Sequence, residues 1–174
     1  MEAMATVTKL FDERRIAQRV EALAAAKSLP RELVLVVVLK GGFVFAADLM
    51  RALDRAGLIL RVDFLRLSSY GHTKESSGVV RPVGPLPEDV AGRDVLVVDD
   101  IADTGRSLVA ARSLLLARGA ASVSTCVLLD KPSRREVEVE PDFVGFTIGD
   151  VFVVGYGIDF AEQHRHLPYI GSID

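Results

Sequence analysis

The stretch VLVVDDIADTGRSL, residues 95–108, decides how this chain is interpreted. Four apolar residues lead directly into Asp99 and Asp100, and a third acid, Asp103, precedes a Thr-Gly turn and a helical pattern. Charged groups are costly beside a buried strand unless they are paired or bind something. One aspartate would be an ordinary helix cap, but three acids in five positions exceed what capping requires. The stretch therefore predicts a binding site.

The segments around this stretch alternate between strand and helix patterns. Continuous apolar runs predict strands at 33–39, 58–67, 94–98 and 122–129, with shorter strands at 143–148 and 151–158. Apolar residues at helical spacing predict helices at 11–29, 43–57 and 104–120. This alternation predicts an α/β fold whose mainly parallel, twisted sheet is flanked by helices, in a single domain over residues 1–174. The polar stretch 68–89 is too long for a routine turn, which indicates either a functional flap or a disordered surface loop.

The acids are predicted to lie at the carboxyl edge of the sheet, where α/β proteins bind their ligands. The backbone N–H groups of the turn that follows start a helix, and a helix N-terminus favours an anion. Thr104 and Ser107 add hydroxyl groups, and Gly105 permits close backbone approach. Because carboxylates repel phosphate, the acids must face sugar hydroxyls, a metal ion or a transferred proton. A phosphorylated sugar satisfies both halves of the motif.

Composition narrows the range of partners. The 174 residues carry a formal net charge of -3, which gives no overall electrostatic reason to expect nucleic acid or an anionic membrane as a partner. No apolar run approaches the roughly 20 residues that span a bilayer, and the start does not resemble a signal peptide. The single cysteine, Cys126, excludes an intramolecular disulfide and lies in an apolar run typical of a structural thiol. We therefore expect a cytoplasmic protein that binds neither nucleic acid nor membrane.

Residues 95–108 resemble the phosphoribosyl-diphosphate binding motif of type I phosphoribosyltransferases. Further segments are similar to the hypoxanthine-guanine branch of that family: VLKGGFVFAADL (38–49), SSYGHTKESSGVV (68–80), LLDKPSRR (128–135) and VGFTIGDVFVVGYGIDFAEQHRHLPYIG (144–171). The resemblance covers nearly the whole chain, in order and at family-like spacing. It implies the type I phosphoribosyltransferase fold, with a small hood subdomain built from the chain ends and a flexible flap that includes Ser69 and Tyr70.

The resemblance also implies a reaction. A 6-oxopurine, hypoxanthine and/or guanine, attacks C1 of phosphoribosyl diphosphate, pyrophosphate leaves, and IMP or GMP forms as a step of purine salvage. It implies Mg²⁺ as the cofactor, small-molecule substrates, and a homodimer or homotetramer. Two alternatives stay open. One is a xanthine-preferring transferase. The other is an RNA-binding regulatory protein on the same fold, because such regulators share the Asp-Asp and Thr-Gly-Arg pattern.

Matching motif positions gives the ribose-phosphate contacts that the resemblance implies. Asp99 and Asp100 contact the ribose hydroxyls directly or through Mg²⁺; many relatives have Glu-Asp there, so the shorter Asp99 differs in reach. Asp103 is the general base near N7 of the purine. The 5-phosphate is held by Thr104, Gly105, Arg106 and Ser107, chiefly through their backbone N–H groups, and Asp103 belongs with them to the ribose-phosphate site.

The remaining implied contacts concern the diphosphate and the base. Lys40 and Gly41 match the pyrophosphate loop, in which the peptide after the lysine is often cis, and Arg165 matches a second pyrophosphate contact. Asp159 matches a second Mg²⁺ contact and is grouped with the residues around the base. In the base pocket, the resemblance implies that Lys131 donates to the 6-oxo group and that Phe152 stacks on the base. It implies that Val153 contacts the base through its backbone.

Overall fold

The computed structural model describes residues 5–70 and 78–174 of the chain. The strands are β1 (Val7–Phe11), β2 (Glu32–Leu39), β3 (Ile59–Tyr70), β4 (Val79–Pro82), β5 (Asp94–Ala102), β6 (Ser122–Asp130), β7 (Phe143–Thr147), β8 (Val153–Val154) and β9 (Ile170–Ile173). The helices are α1 (Glu13–Ala24), α2 (Phe43–Arg55) and α3 (Arg106–Ala117), and a short 3-10 turn covers Pro132–Arg134. In the described ranges, no helix is long and apolar enough to cross a membrane.

The larger sheet has the strand order β4-β3-β2-β5-β6-β7. Its neighbouring strands run parallel except for β4, which pairs antiparallel with β3 at the sheet edge. The central strand β2 is buried on both faces, as its unbroken apolar sequence predicts. The predicted α/β fold with a mainly parallel sheet is confirmed.

Each face of this sheet packs into its own hydrophobic core. Alternate side chains of β2, such as Leu35 and Val37, pack with α1 and α2 on one face. The intervening side chains, such as Val36, pack with Leu108 and Leu115 of α3 on the other face. Because successive strand residues point to opposite faces, neighbouring residues at the end of a strand are delivered to different environments.

A second, three-stranded sheet has the order β1-β9-β8 and joins the two ends of the chain. This sheet is the hood subdomain. The predicted helix 11–29 was wrong at its start, because Val7–Phe11 is a strand paired with β9 and Asp12 caps α1 through a bond from the Arg15 N–H. The predicted strand 151–158 shortens to two residues, because Gly155 and Gly157 adopt left-handed backbone conformations that turn the chain.

The polar stretch at 68–89 is partly strand rather than loop. Strand β3 continues through Ser69 and Tyr70, and β4 pairs with its last four residues. Ser69 and Tyr70, which were predicted to belong to the flap, are therefore part of a strand pair, and residues 71–77 of the predicted flap lie outside the described residues.

Candidate active site

Strand β5 is longer than predicted and carries two of the three acids inside it. It continues to Ala102, so Asp99 and Asp100 lie on opposite faces of the sheet rather than side by side beyond its edge. Asp100 lines a cavity of about 540 Å³. Asp99 is only 6 % exposed, and its Oδ1 accepts the Asp100 N–H at 2.8 Å. The structure therefore brings only Asp100 of this pair to the cavity.

The protonation of Asp99 differs from that of an ordinary aspartate. Burial, followed by the nearby charge of Asp100, raises the pKa of the Asp99 carboxyl well above its usual value. A carboxyl that retains its proton is a weak ligand for a cation and accepts fewer hydrogen bonds.

The cavity beside Asp100 gathers predicted site residues from distant parts of the chain. Its lining contains, among others, Lys40, Gly41, Asp100, Asp159 and Arg165, together with Arg66, Ser68 and Glu162, which sequence reasoning missed. Arg66 and Ser68 come from β3 and Glu162 from the turn after Asp159, so only the fold places them here. A second cavity of similar size, about 570 Å³, has a mostly apolar wall that includes Phe43 and Leu167. The polar cavity is the one suited to a charged ligand.

The loop after β2 fits closely against Asp100. A side chain at Gly41 would place its Cβ 1.9 Å from Asp100 Oδ2, so Asp100 or the loop would have to move to admit any other residue. The cis peptide lies between Leu39 and Lys40, one residue before the position expected from the resemblance. Lys40 is exposed at the cavity, and its Nζ lies 3.4 Å from Glu162 Oε1.

Arg165 reaches the same cavity from the hood side. Its guanidinium donates to the Gly157 carbonyl at 2.7 Å and lies 3.3 Å from Asp159 Oδ1. These contacts hold a second positive charge near Lys40. The two cations form a site that suits a highly charged anion such as a diphosphate.

The turn between β5 and α3 has the shape of an anion cradle. Gly105 has φ of 87°, and a Cβ there would lie 2.5 Å from Val139 Cγ1, so the turn requires glycine. The Thr104 carbonyl accepts the Glu136 N–H at 2.9 Å, which fixes the turn against the chain after β6. Ser107 lies in the first turn of α3, the Arg106 side chain pairs with Glu136 at 2.9 Å, and the Arg106 N–H donates to Thr104 Oγ1 at 3.3 Å. The backbone N–H groups are therefore the main donors of this turn.

Asp103 is held by residues that the sequence did not single out. Arg134 Nε lies 3.2 Å from Asp103 Oδ1, and Arg134 Nη1 lies 3.6 Å from Asp150 Oδ2. The Asp103 carbonyl accepts from Arg135 at 3.0 Å, and Arg135 forms a buried ion pair with Asp130 at 2.6 Å. Arg134 and Arg135 belong to the segment LLDKPSRR (128–135), in which the resemblance implies a role only for Lys131.

The residues predicted around the base occupy three different environments. Lys131 is 6 % exposed and its N–H donates to the Ala102 carbonyl at 2.9 Å; its ammonium has no hydrogen-bond or ion-pair partner among the described residues. Phe152 is 52 % exposed and meets Phe160 edge to face, with ring centroids 5.3 Å apart. Val153 is buried and pairs with β9. The exposed Phe152–Phe160 pair is suited to stack on an aromatic ligand, and Phe160 was not predicted.

The predicted magnesium ligands divide in the same way as the aspartate pair. Asp100 and Asp159 both line the polar cavity, whereas Asp99 is buried on the other face of β5. Over residues 5–70 and 78–174 there is no group of three or more His, Cys, Asp or Glu arranged to hold a metal. Mg²⁺ usually keeps several waters and is bound by one or two carboxylates plus substrate phosphates. Asp100 and Asp159 fit this requirement.

Comparison with known proteins places these features in a family. The phosphoribosyl transferase domain family matches residues 6–161. Hypoxanthine phosphoribosyltransferase of Escherichia coli (strain K12) is 44 % identical over 173 residues, covering 97 % of this chain and 96 % of that protein. Hypoxanthine-guanine phosphoribosyltransferase of Aquifex aeolicus is 41 % identical over 162 residues, covering 93 % of this chain and 89 % of that protein.

Solved structures agree with the sequence relatives. A Trypanosoma cruzi hypoxanthine phosphoribosyl transferase superposes with a TM-score of 0.89 at 37 % identity, over 100 % of this chain and 94 % of that one. A Staphylococcus aureus hypoxanthine phosphoribosyltransferase gives a TM-score of 0.87 at 37 % identity, over 95 % and 90 %. The resemblance inferred from the sequence is confirmed, and the chain belongs to the phosphoribosyltransferase family, among its hypoxanthine and hypoxanthine-guanine enzymes.

Proposed function

We propose that the chain is a purine salvage enzyme that transfers the phosphoribosyl group of 5-phosphoribosyl 1-diphosphate to hypoxanthine or guanine, forming IMP or GMP and pyrophosphate. One observation carries this proposal. A single cavity combines the cations Lys40 and Arg165 with the carboxylates Asp100 and Asp159, and Arg66 and Glu162 also line it. The cations suit the diphosphate, and the carboxylates suit the ribose hydroxyls and a hard metal ion.

The proposed reaction requires positive charge to develop on the ribose while the diphosphate leaves. Asp100 lies where it can accept from a ribose hydroxyl, and the backbone N–H groups of the Thr104–Ser107 turn bind the 5-phosphate. Lys40, the N–H of Gly41 and Arg165 stabilise the charge of the leaving group. Asp103 takes the proton from N7 of the purine as the new bond forms at N9.

Mg²⁺ is proposed as the cofactor, held by Asp100 and Asp159. When bound, it would neutralise and orient the diphosphate. Among Asp99, Asp100 and Asp159, the buried Asp99 is the least suited to bind Mg²⁺.

Selectivity for the base is proposed to reside in Lys131 and the Phe152–Phe160 pair. The ammonium of Lys131 donates to the 6-oxo group of hypoxanthine or guanine, while the 6-amino group of adenine cannot accept that bond. A site whose buried donor is left unpaired rejects the wrong base strongly. The exposed rings stack on the purine face.

Nucleotide formation is the test of this function. The protein, phosphoribosyl diphosphate and Mg²⁺ are mixed with hypoxanthine, guanine, xanthine or adenine, and products are separated by chromatography. We expect turnover with hypoxanthine or guanine and none with adenine. A preference for xanthine would favour the xanthine transferase instead. Absence of all turnover, together with a salt-dependent gel shift of RNA, would favour the regulatory alternative.

The assembly and location are part of the same proposal. We propose a homodimer or homotetramer in the cytoplasm. The oligomeric state and the activity of a Trypanosoma cruzi relative have been studied together. In this chain, the large apolar side chain of Phe43, which follows the loop of Lys40 and Gly41, is 46 % exposed. The free thiol of Cys126 suits a reducing compartment. Light scattering at several protein concentrations measures the assembly, and a monomer at all of them would contradict it.

A further inference from the structure

The two cations proposed to bind diphosphate already share an anionic partner, the carboxylate of Glu162. Lys40 Nζ lies 3.4 Å from Glu162 Oε1 and 3.5 Å from Oε2. Arg165 Nη2 lies 3.7 Å from Glu162 Oε1. One internal carboxylate therefore lies between the same two positive charges that an incoming diphosphate needs.

The backbone around Glu162 is shaped to deliver this carboxylate. Ala161, Glu162 and His164 have φ values of 51°, 63° and 75°, a left-handed conformation that residues other than glycine seldom adopt. The turn is closed by paired backbone bonds between Phe160 and Gln163, each of 3.0 Å, and by the Glu162 N–H, which donates to Asp159 Oδ2 at 2.9 Å. Unusual backbone of this kind persists where the surroundings enforce it, often beside a functional site.

The ion pair between Glu162 and Lys40 is easily exchanged because both side chains are exposed, whereas that of Arg165 is 21 % exposed. The Glu162 side chain is 68 % exposed, and that of Lys40 is 50 % exposed. Exposed ion pairs contribute little to stability and are screened by salt. A diphosphate carries more charge than one carboxylate, so it competes successfully for Lys40 and Arg165.

We propose that Glu162 is an internal substitute for the diphosphate. It pairs with Lys40 and Arg165 while the subsite is free of phosphate, is displaced when phosphoribosyl diphosphate binds, and returns as pyrophosphate departs. This inference rests on the proposed function, because it assigns a role to the diphosphate end of that site. Its consequence is that Glu162 weakens diphosphate binding and speeds pyrophosphate release.

Binding of inorganic pyrophosphate tests the proposal without requiring catalysis. Calorimetric titrations without divalent metal compare the wild type with Glu162→Gln, which removes the charge, and Glu162→Asp, which keeps it. Glu140→Gln is the matched control, because Glu140 is exposed and its carboxylate makes no hydrogen bond or ion pair with another described residue. We expect Glu162→Gln to bind pyrophosphate about two- to five-fold more tightly at low salt, the gain expected from removing one exposed competing ion pair. Glu162→Asp and the control should stay near the wild-type affinity.

Steady-state kinetics with Mg²⁺ give a second readout. Glu162→Gln should lower the KM for phosphoribosyl diphosphate and strengthen product inhibition by pyrophosphate, without raising kcat. Unchanged or weaker pyrophosphate binding by Glu162→Gln in the metal-free titrations would overturn the proposal. If the wild type makes nucleotide but Glu162→Gln binds pyrophosphate no better than the wild type, the proposed role of Glu162 is wrong and the proposed function stands. If Glu162→Gln binds more tightly but neither protein makes nucleotide, the function fails and the competition stands.

Discussion

Two adjacent residues of β5 show how a strand assigns different chemistry to the same side chain. Asp99 and Asp100 have identical functional groups, but the alternation of the strand buries one and presents the other to the cavity. The motif could therefore be recognised from the sequence, while the division of labour inside it could not, because the sequence does not show where β5 ends.

The buried carboxyl of Asp99 predicts a pH-dependent stability. Its folded pKa is raised by burial, so at pH values above the usual aspartate pKa of about 4 the folded state holds a proton that the unfolded state has released. Stability then falls as pH rises through this window, by at most about 1.4 kcal/mol per pH unit. Asp99→Asn cannot ionise and still accepts the Asp100 N–H. Its stability relative to the wild type should increase with pH, as measured by thermal unfolding from pH 4 to pH 9.

The control for this experiment is Asp54→Asn, at an exposed position near the end of α2. Its stability difference from the wild type should vary little over the same pH range. An Asp99→Asn difference that is equally flat would show that Asp99 is ionised in the folded protein, and would restore it as a candidate cation ligand.

The contact between Gly41 and Asp100 predicts a strict requirement for glycine. In Gly41→Ala the new Cβ overlaps the Asp100 carboxylate, so Asp100 or the Lys40 loop must move. We expect the KM for phosphoribosyl diphosphate to rise about tenfold or more, which corresponds to about 1.4 kcal/mol. Gly149→Ala is the matched control, because a Cβ there meets nothing within 4 Å. Equal kinetics for the two variants would contradict the observed packing of the loop.

Asp103 is the residue for which a change in rate, rather than in binding, is expected. Asn at this position still accepts from Arg134 but cannot take a proton. Asp103→Asn should lower kcat by about 10²- to 10⁴-fold, the usual contribution of a general base, with a KM for phosphoribosyl diphosphate within a few-fold of wild type. Asp150→Asn, which changes the other carboxylate held by Arg134, should keep most of its turnover. A parallel loss of kcat and affinity in Asp103→Asn would argue against the base role.

At the scale of elements, the spacing of apolar residues correctly predicted the helices and strands whose limits depend on the burial of their own side chains. The helix α2 and the buried strands β2 and β6 were anticipated nearly to their ends, because their apolar spacing reflects burial on known faces. Strands β1 and β9 were missed because each is stabilised by the other across almost the whole chain, with Val7 opposite Ile173. The Arg134–Asp103 and Glu162–Lys40 pairs were missed for the same reason, since each joins segments remote in sequence.

A hydrogen bond joins the turn after the hood strand β8 to helix α2, and its loss should be measurable. The Tyr156 hydroxyl, in the turn after β8, donates to the Asp48 carboxylate on α2, and burial raises the pKa of that hydroxyl above its usual value. Tyr156→Phe removes one hydrogen bond to a charged group and should lower the free energy of unfolding by about 1.5–3 kcal/mol. Chemical denaturation measures this change. Tyr169→Phe is the control, because its ring contact with Lys9 survives the loss of the hydroxyl; comparable losses in both variants would remove the special role of Tyr156.

At the scale of the whole molecule, the hood and the main sheet share one core and one ligand site. A single apolar cluster contains Leu35 and Leu96 of the larger sheet together with Val153 and Ile170 of the hood. The polar cavity likewise combines β5 with the turn that follows β8. We therefore propose that residues 1–174 fold as one domain and unfold in one cooperative transition.

A ligand that joins both parts should stabilise this single transition. With phosphoribosyl diphosphate and Mg²⁺ at a hundredfold excess over Kd, mass action contributes about 2.7 kcal/mol, which corresponds to a rise in Tm of roughly 5–11 °C for a chain of this length. If Mg²⁺ is held by Asp100 and Asp159 as proposed, chelation with EDTA should abolish most of the rise, while inorganic phosphate should give little. Calorimetry checks both points. A second, unshifted transition would mean that the hood unfolds independently, and a shift that survives EDTA would show that Lys40, Arg165 and the Thr104–Ser107 turn hold the substrate without the metal.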